Sequence, residues 1–150
     1  MKLSQHFSLE ELVASETAAR QGIDNTPDAR TLTNLIRLAE TLERVRRALD
    51  GHVMTITSGY RSVELNRLVG GSKDSMHCQG LAADFICPDW GTPFLVCRQI
   101  VRAQVPLDQL IHEYGEWTHL GLSPEGVPLR HQQLTINDRA TGYELGLRPV

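Results

Sequence analysis

A chain of 150 residues, 41% apolar and 22% charged, has the balance of one globular domain and leaves little room for a second. Its 15 basic and 18 acidic residues give a net charge of −3, which offers no cationic stripe for a phosphate backbone and sets nucleic-acid binding aside. No stretch approaches the roughly 18 apolar residues of a membrane span, and Met1 to Ser8 lacks the apolar centre of a signal peptide, so synthesis and folding in the cytoplasm are expected.

In chain order, Ser8-Leu9-Glu10-Glu11 fits a capping box and opens a short helix whose apolar stripe is Leu9, Leu12 and Val13. Gly22 to Pro27 is a loop, since Gly, Asn and Asp tolerate turn dihedrals and Pro27 disfavours helix at Thr26. From about Asp28 to Leu49, Leu32, Leu35, Ile36, Ala39, Leu42, Val45 and Leu49 recur at steps of three and four, the mark of a long amphipathic helix. Asp50-Gly51 ends it, and His52 to Thr57 alternates like a strand. A short helix over Val63 to Val69 leads into the polar loop Gly70 to Ser75. Leu81 to Ile86 predicts an apolar strand with one carboxylate, Asp84, and Pro93 to Gln104 a helix. Leu107 to Glu113 and Trp117 to Leu122 are strands joined by a tight hairpin at Tyr114-Gly115-Glu116, and Arg130 to Ile136 is one more strand. Helices that precede and interrupt short strands indicate an α+β fold, a small antiparallel sheet with flanking helices, in a single domain over residues 1–150.

The chemistry starts at Asp84. A carboxylate in an apolar strand needs a cation, because burying it unpaired costs several kcal/mol. Zinc shared with His77, at the end of the preceding loop, is one solution, and an arginine partner is the other. His119, beside Trp117 in the hairpin's second strand, is by itself more simply a hydrogen-bonded core histidine. With His77 and Asp84 it completes two histidines and a carboxylate, a known zinc set that leaves a fourth position open.

Three motifs in order carry a resemblance. Ser58-Gly59-Tyr60-Arg61-Ser62, Ser75-x-His77-x-x-Gly80-x-Ala82-x-Asp84 and Trp117-Thr118-His119 resemble those of the zinc D-alanyl-D-alanine carboxypeptidase and L-alanyl-D-glutamate peptidase family. That family shares its core fold with the signalling domain of hedgehog proteins. Phe7 to Glu11, Gly22 to Pro27 and Asp108 to Ile111 are similar to segments of its short phage and prophage branch. The resemblance implies one Zn²⁺ per chain on His77, Asp84 and His119, with Arg61 reaching into the site. It also implies a zinc peptidase that hydrolyses peptidoglycan stem peptides, of D,D-carboxypeptidase or endopeptidase type. An endolysin or wall-remodelling enzyme of this kind, lacking a signal peptide, would reach the wall through a holin or a phage particle.

The general base stays open between two glutamates. Glu116 stands three residues before His119, where the family places an acid. Glu113 pairs with Trp117 and shares His119's face if the hairpin loop has three residues. Cys78, Cys87 and Cys97 cannot all pair and form no C-x-x-C, so all three are read as packed thiols, Cys78 included although it adjoins His77. The rival reading is a zinc-stabilised wall-binding or structural module of the same fold, whose metal would be closed by a fourth protein ligand.

Overall fold

The computed structural model describes residues 1–150. Helix α1 (Leu9–Val13) starts where Ser8 Oγ accepts from the Glu11 amide, the cap expected from the sequence. Helix α2 (Glu16–Gln21) follows at once, capped by Ser15 and closed by Gly22 in the left-handed region; its six residues are too few to show a helical period in the sequence. The long helix α3 (Ala29–Ala48) opens on Asp28, whose carboxylate accepts from the Thr31 amide. Strand β1 (Thr55–Ser58), helix α4 (Val63–Leu68), a 3₁₀ turn (Met76–Gln79), strand β2 (Ala82–Ile86) and helix α5 (Pro93–Arg102) come next. They are followed by β3 (Gln109–Glu113), β4 (Trp117–Gly121), β5 (Gln132–Ile136) and β6 (Tyr143–Leu145).

The six strands form one sheet in the order β1-β2-β4-β3-β5-β6. The class is α+β with flanking helices, as the sequence indicates. The sheet is antiparallel except at one place, where β5 runs parallel to β3. Strand β4 already has β2 and β3 on its two edges, so the returning chain adds to the free edge of β3. Its start is pinned there: Arg130 clamps the Asp108 carboxylate through Nε and Nη2, at 3.1 and 2.8 Å, and the Gln132 amide donates to the Asp108 carbonyl. Strand β6 is too short for an alternating pattern to mark it in sequence.

The two faces of the sheet do different work. One carries Ala83, Phe85, Leu110 and Leu120 into the main core, where Leu35, Leu38, Leu42 and Val45 of α3 and Val96, Cys97 and Ile100 of α5 meet them. This burial supplies the main driving force for folding. Period-2 alternation turns the intervening residues, Asp84, His119, Ile111 and Glu113, to the opposite face. There the apolar packing is a small cluster of Ile111, Leu134 and Ile136, with Tyr114 against it. No helix is long and apolar enough to cross a membrane.

Candidate metal centre and active site

Two loops and two strands assemble the site. The segment after β1 is fixed by backbone contact: the Tyr60 amide donates to the Leu12 carbonyl at 2.7 Å. Gly59 lies so close to α1 that a Cβ there would fall 2.2 Å from the Leu12 carbonyl oxygen, so no other residue fits. Asn25 clamps the same segment from the loop after α2. Its amide donates to the carbonyls of Val13 (2.8 Å) and Tyr60 (3.0 Å), and its Oδ1 accepts from the Ser62 amide (2.8 Å). Arg61 is thus held on both sides, and its own amide donates to the His77 carbonyl at 3.1 Å. In sequence, residues 22–27 show only loop character, and the one signal for Asn25 is its place in the Gly-Ile-Asp-Asn-x-Pro segment.

His77 lies in the 3₁₀ turn, which Ser75 caps at its start and Gly80 ends at φ +71°. From there the chain enters β2 and brings up Asp84, which sits directly opposite His119 of β4. The ligand atoms of His77, Asp84 and His119 all lie within 4.8 Å of one another, and all three residues are buried. His77 Nε2 is 3.4 Å and His119 Nδ1 2.8 Å from Asp84 Oδ1, and the two imidazoles meet edge to face with centroids 5.2 Å apart.

These residues fit a divalent cation, by the chemistry of the donor set. His77 Nδ1–H donates to the Gly59 carbonyl at 2.7 Å, which fixes the tautomer and leaves the Nε2 lone pair facing a carboxylate oxygen. Two acceptors turned toward each other in a buried site call for a cation between them. No lysine or arginine salt-bridges Asp84; its ionic partners are the two histidines, so the arginine alternative for Asp84 is not what the fold builds. Burial pushes the His77 pKa down, whereas the bond to Asp84 raises that of His119 despite its burial. Against the opposing effect of burial, the hydrogen bond to His119 and the charge of the two neighbouring imidazoles hold Asp84 well below the usual carboxylate range.

The two candidate glutamates are separated by the turn. Tyr114 and Gly115 both take positive φ, +56° and +67°, and the loop has three residues, so Glu113 pairs with Trp117. Glu113 Oε2 accepts from Trp117 Nε1 at 2.9 Å, while Oε1 stands 3.8 Å from His119 Nδ1. Burial raises its pKa above the ordinary glutamate value. Glu116 is exposed on the loop, its amide bonded back to the Glu113 carbonyl. Arg61 is near enough that its charge acts on His77, His119 and Glu113, and its buried Nε has no hydrogen-bond partner. Cys78 lies outside the metal-ligand cluster; Cys97, in the core beside Thr118, has its thiol pKa pushed up to about 12 by burial. All three cysteines are free. His112 points away from the site, packs on Phe94 and donates to the Arg148 carbonyl.

The profile of the family described as Peptidase M15 matches residues 5–121 of the chain, a stretch that contains every residue brought together above. No curated protein matches the chain.

Proposed function

The chain belongs to the Peptidase M15 family, and from this and the site's geometry we propose that it is a zinc-dependent hydrolase of peptidoglycan stem peptides. The supporting observation is the buried His77–Asp84–His119 cluster with the Glu113 carboxylate 3.8 Å from His119. His77 through Nε2, His119 through Nδ1 and Asp84 through a carboxylate oxygen would hold the ion. When bound, zinc polarises the scissile carbonyl and makes water nucleophilic near neutral pH.

The chain's own residues supply the rest. Trp117 Nε1–H holds one oxygen of Glu113 and leaves the other free toward the site. Glu113 is then the base that takes a proton from the attacking water and passes it to the departing amine nitrogen. Its raised pKa suits both halves of that cycle. The guanidinium of Arg61, uncommitted within the protein, steadies the negative charge that develops on the carbonyl oxygen. Glu116, exposed on the turn, takes no part.

The cleavage is of D,D-carboxypeptidase or endopeptidase type and takes place at the bacterial cell wall, in an endolysin or wall-remodelling role. A purely structural metal site would be closed by a fourth protein ligand, and this cluster has three members. The test compares wild type, Glu113→Gln and Glu116→Gln for bound zinc and for amino groups released from purified peptidoglycan. The expected result is one zinc in all three proteins, with cleavage reduced about 10²–10⁴-fold in Glu113→Gln only, the usual contribution of general acid–base catalysis. Zinc-loaded wild type that cleaves neither wall nor stem peptide would overturn the proposal in favour of a zinc-stabilised binding module.

A further inference from the structure

Residues 122–150 lie beyond the segment matched to the family, yet they extend the face of the sheet that carries the site. Glu113 is opposite Ile136 in β5, and Ile136 is opposite Tyr143 in β6. Directly opposed residues share a face, so Trp117, Glu113, Ile136 and Tyr143 form one row across four strands. Tyr143 is 59% exposed and free to meet a ligand.

The turn between β5 and β6 also approaches the loop that leads to His77. Arg139 Nη1 lies 4.0 Å from where a Cβ on Gly70 would be, so the turn meets the Gly70–Ser75 loop that delivers His77. Arg139 is exposed, and it takes part in none of the ion pairs or side-chain hydrogen bonds of the protein. An exposed guanidinium with no partner of its own is free to take an anionic group of a ligand.

Building on the peptidase reading above, we propose that Arg139 and Tyr143 form a recognition wall that selects peptides with a free carboxylate close to the scissile bond. Arg139 takes the carboxylate, as a guanidinium fork does well, and the Tyr143 ring and hydroxyl line the path between that carboxylate and Glu113. The phenol pKa is raised chiefly by desolvation, with added repulsion from Glu113, Tyr114 and Asp84.

A stem pentapeptide has two such carboxylates, the α-carboxylate of its D-glutamate and its C-terminus, so the probe is L-Ala-γ-D-Glu-L-Lys-D-Ala-D-Ala in four forms. These are the free acid, each singly amidated peptide and the doubly amidated one. KM and kcat are measured for wild type, Arg139→Gln and Tyr143→Ala, and binding to Glu113→Gln protein, with and without Arg139→Gln, is measured by titration calorimetry. In wild type, amidation of one carboxylate raises KM about tenfold with kcat little changed, the value of one charge-assisted contact; which amide does so identifies the source. Arg139→Gln raises KM for the free acid by the same factor and leaves that amidated peptide unaffected, and Tyr143→Ala raises KM for every form. Cleavage of all four peptides with KM and binding unmoved by Arg139→Gln would overturn the wall and leave the peptidase standing. If wild type cleaves nothing, the peptidase reading fails, and calorimetry alone judges the wall: tighter binding of the free acid that is lost with Arg139→Gln supports it, and equal binding of acid and amide overturns it.

Discussion

Replacing Asn25 by alanine tests whether the clamp around Arg61 is what makes the site precise. The substitution deletes three hydrogen bonds, to the carbonyls of Val13 and Tyr60 and from the amide of Ser62. At about 0.5–1.5 kcal/mol net for each, the loss spans roughly 1.5–4.5 kcal/mol, and partial exposure of Asn25 lets water recover some of it, so about 2–3 kcal/mol is expected. For a chain of this size that corresponds to a fall in Tm of roughly 4–12 °C. Urea unfolding followed by circular dichroism measures the stability term, with the slope against urea unchanged. Arg61 gains freedom in the same variant, so kcat/KM on a stem peptide falls about tenfold or more while bound zinc stays at the wild-type level. The control is Thr33→Ala, which removes a helix-surface hydroxyl bonded only to the Ala29 carbonyl. A Tm within about 1 °C of wild type, with kcat/KM unchanged, would refute the reasoning, since three lost bonds cannot be that small in a clamped loop.

Gly59→Ala, whose Cβ would overlap the Leu12 carbonyl oxygen at 2.2 Å, displaces the carbonyl that fixes the His77 tautomer. Zinc affinity should fall about 10–100-fold by competition with a chelating dye, as for loss of other supporting bonds to a metal ligand. Cys78→Ser should bind zinc with unchanged affinity, because Cys78 is outside the ligand cluster; a weakened site in that assay would make the thiol a ligand. Asp108, bonded to Arg130, has a pKa below its ordinary value of about 3.9 in the folded state. A depressed carboxylate stabilises the fold above its unfolded pKa, and the contribution is lost as pH falls through the lower folded value. Stability measured from pH 6 down to pH 2 should therefore fall less steeply in Asp108→Asn than in wild type, and equal slopes would show that the Arg130 clamp contributes nothing.

Much of this protein can be read from local sequence. The Ser8 cap, the stripe of α3 and the strand character around Asp84 and His119 depend on neighbours within a few residues, and these appear where the pattern puts them. The residue types suited to a metal were visible in the same way, because a carboxylate in an apolar strand demands a cation wherever the strand lies. Other features depend on contacts between distant segments. That Glu113 rather than Glu116 stands beside His119 depends on two successive positive φ values in a three-residue turn, a difference of one residue that flips every side chain to the opposite face. Asn25 gains its role only when the loop after α2 meets the loop after β1, and nothing near it in sequence announces the partners. The parallel β5 and the wall it carries exist because the two edges of β4 are already taken. Local pattern determined what each segment could be and which atoms could bind a metal; the order of strands and the docking of loops decided which of those atoms meet, since hydrogen-bonded edges and close backbone contacts are properties of the assembled sheet.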